Sequence, residues 1–592
     1  MITHGWRTAA VLLCILLEGS VVSAAGSATP ETVYYVSPRG NDAAAGTLAA
    51  PFRTPARAQQ AVRAEIARGL RQPVRVSLAA ADYYLTAPLV LGPEDSGTEQ
   101  CPVTWSGGGG PVCLSGGRRI TGWARQQGDL WAASVPWAQG QPFPQLWVDG
   151  QRATLARFPH AGADPPYLTV TLSDLSADFT SFRLGFGPGK LPALSRPSDA
   201  EVVTLGNWAL CRDYVSDFDP TTGALTLAPP HVPVSADPWN WGKVGRWGFV
   251  QGAREFLGEP GEWCLDRAAG TVSYQARPGE DLTRATVVAG VLPQVLVLQG
   301  TPERSVRYLN FHGLQFSHTA WQPPPGGYFG HQACHFATAA APGKVSGQEV
   351  TAGVRAVWAA HCTWDDVRVE HMGGSGLYLA EGCRDCLVSR STVSDIGGNG
   401  LNVAGPNDPA KLVQDNTLIN NVVAHGGIEC YGAVGIFVGI TAATTVAHNE
   451  VYDWPYTGIS VGWQWNPQPT ACRDNVIEYN HIHDVMQRLC DGGGIYSLGF
   501  QPGTVMRGNL IHDIKRSPYA QGAPNNGFFL DEGSKGFLLE ANAVYRTSGE
   551  PVRHNANKPE WHTWKDNSFG SEPAPGTPAA LAAAQAGPEP IR

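Results

Sequence analysis

The sequence predicts an all-β fold, a right-handed parallel β-helix, from three observations. Glycine and proline, with 70 and 46 of the 592 residues, make up about a fifth of the chain, which is typical of many short strands and turns. A short apolar segment recurs in the C-terminal half at intervals of 28 to 33 residues. No helical pattern separates the copies, so each repeat has the length of one coil of a pectate-lyase-like solenoid.

The recurring segment has the pattern of a strand that begins with a small polar residue. Its six copies begin at Ser391, Asn421, Asn449, Asn480, Asn509 and Asn542. A second β-rich run follows in most repeats and begins at Gly400, Gly435, Gly458, Gly494 and Gly527. Such coils bury their apolar side chains only by stacking on one another. We therefore expect the asparagines to form a ladder at one corner of the coils.

Residues 1–24 have the pattern of a secretory signal peptide. Arg7 precedes an apolar stretch over residues 9–17, and the small residues 22–24 offer a cleavage site. The stretch is too short to span a bilayer, so we expect a secreted or periplasmic protein without a membrane span. Loss of Cys14 with the signal leaves eleven cysteines, expected as disulfides or buried free thiols.

A single clear helix is predicted near the start of the mature chain. Thr54 has the position of its N-cap, Pro55 that of its first turn, and Gly69 ends it. Its apolar face is formed by Ala58, Ala61, Val62 and Ile66. Such a helix would cover the open N-terminal end of the β-helix. Residues 33–121 are therefore assigned to an N-terminal cap and the first coils.

The coil period is lost between residues 122 and 287, where turn-separated β segments predict an inserted compact β domain. Residues 288–569 then form the main parallel β-helix. The segment 570–592 is rich in alanine, proline and glycine and is predicted to be a disordered tail.

The charge balance restricts the class of partner. The net charge is −9 and no run of lysine and arginine stands out, which argues against nucleic acid as a partner. Neutral polysaccharides are favoured over acidic ones for the same reason. We expect a monomer that acts on a polysaccharide or an oligosaccharide.

Several motifs resemble glycoside hydrolase family 141, and together they extend over roughly residues 33 to 569. The opening YVSPRGND at 35–42 is similar to that of many exported β-helix enzymes acting on polysaccharides. Three segments resemble the family's insertion domain: QLWVDGQRA at 145–153, ARFP at 156–159 and EPGEWCLD at 259–266. The later runs are GISVGW at 458–463, DGGGIYSLG at 491–499 and LDEGS at 530–534.

This resemblance implies a glycosidase directed at fucose-containing glycans or xylan, with plant cell-wall or other complex glycans as the substrate class. The family's proposed catalytic aspartates correspond to Asp491 and Asp531, on neighbouring coils. Glu532 is the alternative candidate for either role. Two departures from the family pattern are visible: Phe529 stands where a tyrosine is expected, and Cys264 replaces an aromatic residue.

The residues themselves support the same pair. Glycoside hydrolysis needs two carboxyl groups facing one glycosidic bond, and each aspartate interrupts an apolar, glycine-rich context, which would raise the pKa of one carboxyl. Asp491 before three glycines also fits a turn-capping role. Aromatic side chains on nearby coils, Trp463, Trp465 and Tyr496, are candidates for stacking on sugar rings.

The repeated segments carry further candidates. His483 and His512 are predicted to bind substrate beside the cleft; the alternative is a zinc site that they would share with His481. Three aspartates recur at one register on successive coils, where they cap turns or share a calcium ion: Asp453, Asp484 and Asp513. Apart from that calcium, no cofactor is expected.

Three functions remain open at this point. The first is an exported glycoside hydrolase with an aspartate pair. The second is a polysaccharide lyase that uses calcium and a basic residue, with candidates Arg507, Lys515 and Arg516. The third is a non-catalytic glycan-binding β-helix, because this fold also carries inert surface proteins.

Overall fold

The computed structural model describes residues 30–139, 142–232 and 243–590. The predicted signal peptide lies outside the described residues. Three long parallel sheets run along the molecule, and successive strands of one turn belong to different sheets. This architecture confirms the predicted right-handed parallel β-helix.

The strands of each sheet follow one another in stacking order. The first sheet has twelve strands: Thr32–Val36, Val74–Leu78, Val103–Gly107, Leu309–His312, Thr363–Asp365, Leu387–Ser389, Thr417–Ile419, Thr445–Ala447, Val476–Glu478, Val505–Arg507, Leu538–Glu540 and Thr563–Lys565. The second sheet has eleven: Ala81–Tyr84, Val112–Ser115, Gln315–Ser317, Arg368–Met372, Thr392–Ile396, Val422–Ala424, Glu450–Tyr452, His481–His483, Leu510–Ile514, Ala543–Thr547 and Ser568–Phe569. The third sheet has ten: Leu89–Leu91, Leu296–Gln299, Ala352–Val357, Ser375–Leu379, Leu401–Val403, Ile436–Val438, Ile459–Val461, Gly493–Ser497, Asn526–Leu530 and Val552–His554. Two short parallel pairs join Val306–Arg307 to Ala359–Ala360 and Val413–Gln414 to Thr441–Ala442.

Most of the later strands are three residues long, and their middle residue points into the core. In the first sheet Val446, Ile477, Met506 and Leu539 stand in register on successive coils, and each is fully buried. Because neighbouring strands in a sheet lie about 4.8 Å apart, such a column leaves no room for water between the coils. The hydrophobic effect therefore stabilises the stack rather than any single coil.

The predicted asparagine ladder is confirmed. At the corner between the first and second sheets, each asparagine amide donates a hydrogen bond of 2.9–3.0 Å to the side-chain oxygen of the next asparagine. The members are Asn421, Asn449, Asn480, Asn509, Asn542 and Asn567. Each Nδ2 also donates to a backbone carbonyl of an earlier coil, as Asn480 does to Val446 at 2.9 Å. The ladder satisfies buried polar groups where the backbone turns.

The predicted helix near the start spans Pro55–Ala67, and the Thr54 hydroxyl accepts a hydrogen bond from the Arg57 amide at 3.1 Å. Ala58 and Val62 are buried against the first two strands of the first sheet. Short 3-10 turns occupy Pro93–Asp95, Pro136–Ala138, Pro197–Asp199, Arg254–Phe256, Pro409–Lys411 and Pro559–Trp561.

Between the first coils and the main β-helix, the chain forms mostly antiparallel sheets with two apolar cores of their own. The strands around the first core are Gly117–Ile120, Ala124–Arg125, Leu130–Ser134, Leu146–Val148, Gln151–Arg152, Thr154–Leu155, Glu262–Asp266, Thr271–Gln275 and Val287–Gly290. Those around the second are Arg157–Phe158, Leu168–Thr169, Leu172–Leu175, Phe182–Gly185, Glu201–Leu205, Leu210–Asp219, Ala224–Leu227 and Trp247–Gln251.

A second departure from the coil pattern was not expected from the sequence. The strands Tyr328–Gly330, His335–Ala341 and Lys344–Glu349 form an antiparallel extension inside the segment assigned to the main β-helix. The first of them pairs with strand Leu210–Asp219 of the insertion. This extension, residues 328–349, is called the wall hairpin below.

The expectation of a disordered tail is wrong for the described residues 570–590. Pro578–Ala583 is a short helix with Ala579 and Ala582 buried, and further on the Gly587 amide donates to the carbonyl of Tyr479 at 2.8 Å. Small alanines allow close packing of the tail on the coils, which a compositional argument does not detect.

Candidate active site

The two predicted catalytic aspartates lie at opposite ends of neighbouring strands of the third sheet. Asp491 precedes strand Gly493–Ser497, and Asp531 directly follows strand Asn526–Leu530. The Asp531 amide donates to the carbonyl of Ser497 at 3.0 Å, and the strand register pairs Ser497 with Leu530, so Asp531 stands one position past Ser497 on the next coil. Both carboxyl groups reach the same cleft.

Asp531 is buried, with 9% of its surface exposed, and both carboxylate oxygens accept hydrogen bonds. The Tyr496 hydroxyl donates to Oδ2 at 2.5 Å, and the Asn555 amide donates to Oδ1 at 2.6 Å. These donors come from the preceding and the following coil. They fix the plane of the carboxyl group and suit an anionic carboxylate.

Asp491 lies in a different environment. Burial raises the pKa of its carboxyl above the ordinary value, and the charge of Asp531 raises it further, whereas Arg553 opposes both effects. The Arg553 guanidinium contacts Oδ1 of Asp491 at 3.2 Å. The Tyr456 hydroxyl donates to the backbone carbonyl of Asp491 at 2.8 Å, and the aspartate has a φ of 65°. Non-glycine residues rarely adopt this backbone conformation, and the buried Tyr456 holds Asp491 in it.

The cleft has a volume of about 750 Å³, in the usual range of small-molecule sites. The third sheet forms its floor and the wall hairpin forms one side. Its lining consists of Trp208, His331, Gln332, His335, Phe336, Ala337, Val345, Gly347, Gln348, Glu349, Trp463, Trp465, Asp491, Tyr496, Asp531, Glu532 and Asn555.

The predicted aromatic residues have three different environments. Trp463 is half-buried because His335 of the wall hairpin stacks on it, with ring centroids 4.2 Å apart. Trp465 packs edge-on against Trp463 and keeps 44% of its surface exposed, so its face is free for a sugar ring. Tyr496 is 1% exposed and contributes its hydroxyl rather than its ring, which corrects its predicted role in stacking.

His483 and His512 do not line the cleft, so the prediction that they lie beside it is wrong. They belong to strands His481–His483 and Leu510–Ile514 of the second sheet, whereas the cleft lies on the third. The sequence pattern places these histidines on strands, but it does not indicate on which of the three sheets each strand lies. Glu532, the alternative candidate for a catalytic carboxyl group, does line the cleft and is exposed.

The three aspartates considered as calcium ligands each pair with a basic side chain. Asp453 pairs with His425, Asp484 with Lys515, and Asp513 with Arg546. All three aspartates have a φ near 50°, so they occupy the left-handed corner residue of a coil. Among the described residues they do not converge into a metal-binding group.

The basic residues considered for a lyase also lie outside the cleft. Arg507 pairs with Glu478, Lys515 pairs with Asp484, and Arg516 donates to the carbonyls of residues 522 and 523. None of the three is among the residues that line the cleft.

Another cavity, of about 410 Å³, lies between the insertion and the coils. Its most buried guanidinium, Arg212, pairs with Glu201 and Glu429, and Arg152 pairs with Asp395. The pairs Arg212–Glu429 and Arg152–Asp395 join the insertion to the β-helix. We therefore interpret this cavity as part of the interface between the two, and place the candidate active site in the larger cleft.

Several site residues were missed by sequence reasoning. Arg553 and Asn555 lie one coil beyond the last repeat that was recognised, beside Phe529 and Asp531. Extending the repeat to strand Val552–His554 at a shorter interval finds them. The residues of the wall hairpin carry no such signal, because the hairpin interrupts the repeat.

Comparison with known proteins supports this assignment of fold and enzyme class. Residues 352–544 match the family model described as right handed beta helix region. A solved structure named "Glycoside hydrolase" is 26% identical, with 94% of this chain and 99% of that chain covered and a TM-score of 0.82. The likeness therefore includes the insertion as well as the coils. The chain is built on a right-handed β-helix and is similar over nearly its whole length to the structure of that name.

More distant structures are also similar. One is named "The complex structure of XylC with xylose", with 12% identity, 88% of this chain and 70% of that chain covered, and a TM-score of 0.46. Another is a GH136 lacto-N-biosidase from Eubacterium ramulus, with 13% identity, coverages of 91% and 68%, and a TM-score of 0.36. No curated protein sequence matches significantly. In the described part of the chain, no helix has the length and apolar character needed to cross a membrane.

Proposed function

We propose that this chain is an exported glycoside hydrolase that cleaves neutral, fucose- or xylose-containing plant or other complex glycans. The observation that carries the proposal is the pair Asp491 and Asp531, which reach one cleft from neighbouring coils in unlike environments. Two carboxyl groups that face one glycosidic bond are what acid-assisted glycoside cleavage requires. The resemblance to family 141 supplies the substrate class.

In this mechanism Asp491 is the general acid. Burial raises the pKa of its carboxyl and favours the protonated form, so it can give its proton to the glycosidic oxygen as the bond breaks. Asp531 is the carboxylate that either attacks the sugar or activates water. Its donors, Tyr496 and Asn555, hold it in one orientation throughout the reaction.

The charge of the cleft supports a neutral substrate. Among the described residues that line it, four are carboxylic acids and none is a lysine or an arginine. Glu349, one of the four, pairs with His335, and this histidine holds the pKa of the glutamate below its ordinary value against the opposing effect of partial desolvation. An acidic lining repels uronate polymers, which argues against the lyase alternative.

The first test is a screen for released reducing sugar. The substrates are xylans, fucosylated pectins and aryl glycosides, and absorbance of unsaturated products is read in parallel. Release by the wild type but not by Asp491→Asn or Asp531→Asn, without new absorbance, supports the proposal. New absorbance would identify a lyase, and unchanged activity in both variants would refute the site. Binding without turnover on every substrate would favour the glycan-binding alternative.

A further inference from the structure

A cluster of histidines and one glutamate lies on the outer face of the second sheet, away from the cleft. Glu450 stands beside His481 in the strand register, and His483 stands beside His512 on the next coil. These side chains are partly buried, with 31% of the Glu450, 24% of the His481 and 17% of the His483 side chain exposed. None of them has a role in the proposed reaction.

The geometry of three of these side chains matches a metal site. Oε1 of Glu450 lies 3.4 Å from Nε2 of His483 and 3.6 Å from Nδ1 of His481. One ligand atom from each of the three residues lies within 4.8 Å of the other two. Ligands at about 2.0–2.1 Å around a tetrahedral Zn²⁺ are separated by about 3.4 Å. The distances from Glu450 to the two histidine nitrogens are therefore close to those between ligands of one Zn²⁺ ion.

The remaining ring nitrogens have the partners that metal-binding histidines require. Nδ1 of His483 lies 2.9 Å from Oδ2 of Asp484, and Nε2 of His481 lies 2.8 Å from Nε2 of His512. His512 is in turn bonded through Nδ1 to Asp513 at 2.7 Å. Such contacts fix ring orientation and tautomer in metal sites. With its Nδ1 proton donated to Asp484, His483 presents the Nε2 lone pair toward Glu450.

Ring stacking explains only part of this arrangement. Tyr452, His483, His512 and Tyr545 form a column of nearly parallel rings on successive coils. That column accounts for the position of His483. It does not account for His481 and Glu450, which converge on His483 from the neighbouring register position.

We propose that Glu450, His481 and His483 bind one divalent transition-metal ion of the Zn²⁺ type, with the fourth coordination position open to solvent. The ion joins strands Glu450–Tyr452 and His481–His483, and the His481–His512 contact extends the connection to a third coil. Because the site and the cleft lie on different sheets, the ion stabilises the stack of coils and takes no part in catalysis.

The test uses the full chain, freed of metal with a chelator, and titration calorimetry with Zn²⁺ and separately with Co²⁺ and Ca²⁺. We expect one Zn²⁺ or Co²⁺ per chain and no comparable binding of Ca²⁺, which prefers oxygen ligands. Glu450→Gln, His481→Ala and His483→Ala should each weaken binding at least tenfold. His425→Ala, which removes an exposed histidine near the preceding strand, is the matched control and should bind as the wild type does.

Thermal unfolding provides a second readout that does not depend on activity. Zn²⁺ should raise the Tm of the wild type and of His425→Ala, but not that of Glu450→Gln. Glutamine has nearly the same size as glutamate and position 450 is partly exposed, so this variant should fold as the wild type does. Failure of the wild type to bind Zn²⁺ would overturn the proposal. Equal binding by all three ligand variants would also overturn it, because the ion would then lie elsewhere.

Discussion

The Tyr496 hydroxyl donates a hydrogen bond of 2.5 Å to Oδ2 of Asp531, which lies on the next coil. Both residues are almost completely buried, and the tyrosine packs edge-to-face on Phe529. The bond therefore forms in a rigid, poorly solvated setting where its strength is greatest. Its consequence is that a residue one coil away fixes the orientation of a proposed catalytic carboxylate.

Removal of this donor should reduce turnover more than binding. In Tyr496→Phe the ring and its packing remain, and only the hydrogen bond to Asp531 is lost. Hydrogen bonds to charged groups contribute about 1.5–3 kcal/mol, so we expect kcat to fall by about 10- to 100-fold. Steady-state kinetics on the substrate found by the screen measure this. A change confined to KM would show that Tyr496 does not act through Asp531.

Loss of either aspartate should nearly abolish hydrolysis. General acid–base catalysis contributes about 10²- to 10⁴-fold, and we expect Asp491→Asn and Asp531→Asn to lose activity on that scale. Asp453→Asn is a matched control, since it changes a half-exposed aspartate on another face of the coils. It should retain nearly full activity. If Glu532→Gln alone abolished activity, the glutamate would replace Asp531 in the assignment.

The pH profile should depend on Arg553. Asp491 acts in its protonated form, so activity falls as the pH rises through the pKa of its carboxyl, which lies above 3.8. Arg553 lowers that pKa, and Arg553→Gln should move the falling limb of kcat/KM to higher pH. Arg553→Lys keeps the positive charge and should leave the limb nearly in place. A limb that does not move in Arg553→Gln would exclude Asp491 as the acid.

Replacement of Asp491 by asparagine should stabilise the protein at neutral pH, although it removes activity. A carboxyl whose pKa is raised on folding favours the folded state at low pH, and this contribution is lost as the pH rises through the folded-state pKa. At neutral pH the buried charge therefore costs stability. We expect Asp491→Asn to raise the Tm at pH 7 and to change it less at pH 4. A lower Tm at pH 7 would show that the ion pair with Arg553 outweighs burial.

The exposed indole of Trp465 should contribute to substrate binding. Aromatic stacking adds about 0.5–1.5 kcal/mol beyond area burial, so Trp465→Ala should raise KM about three- to tenfold with little change in kcat. Phe569→Ala is the control, because Phe569 is similarly exposed on the last coil of the second sheet. An unchanged KM for Trp465→Ala would remove this residue from the binding site.

Substitution of an asparagine in the interior of the ladder should reduce stability more than substitution at its end. Asn480 is fully buried and bonds to Asn449, Asn509 and the carbonyl of Val446. Since an unsatisfied buried polar group costs about 1–3 kcal/mol, Asn480→Ala should lower the free energy of unfolding by about 3 kcal/mol or more. Asn567→Ala, at the partly exposed end of the ladder, should cost less. Equal losses measured by chemical denaturation would argue against a cooperative ladder.

Much of the fold was predictable because it is periodic. Segments spaced 28 to 33 residues apart, five of the six beginning with asparagine, indicate a coil that stacks on itself, and the structure has that coil. The capped helix was predictable to within a residue or two, because Thr54, Pro55 and Gly69 act locally. Asp491 and Asp531 were found through the resemblance, whereas the register that sets Ser497 beside Leu530 came from the structure.

The sequence by itself determined the coil, its corner ladder and the two aspartates, because each of these depends on short-range pattern or on motifs. Only the tertiary structure decided which face of the coil a residue occupies, and so it separated His483 and His512 from the cleft. It also brought the wall hairpin against Trp463 and set Arg553, 62 residues away in the chain, against Asp491. Contacts of this kind depend on the packing of distant segments, for which a local pattern carries no signal.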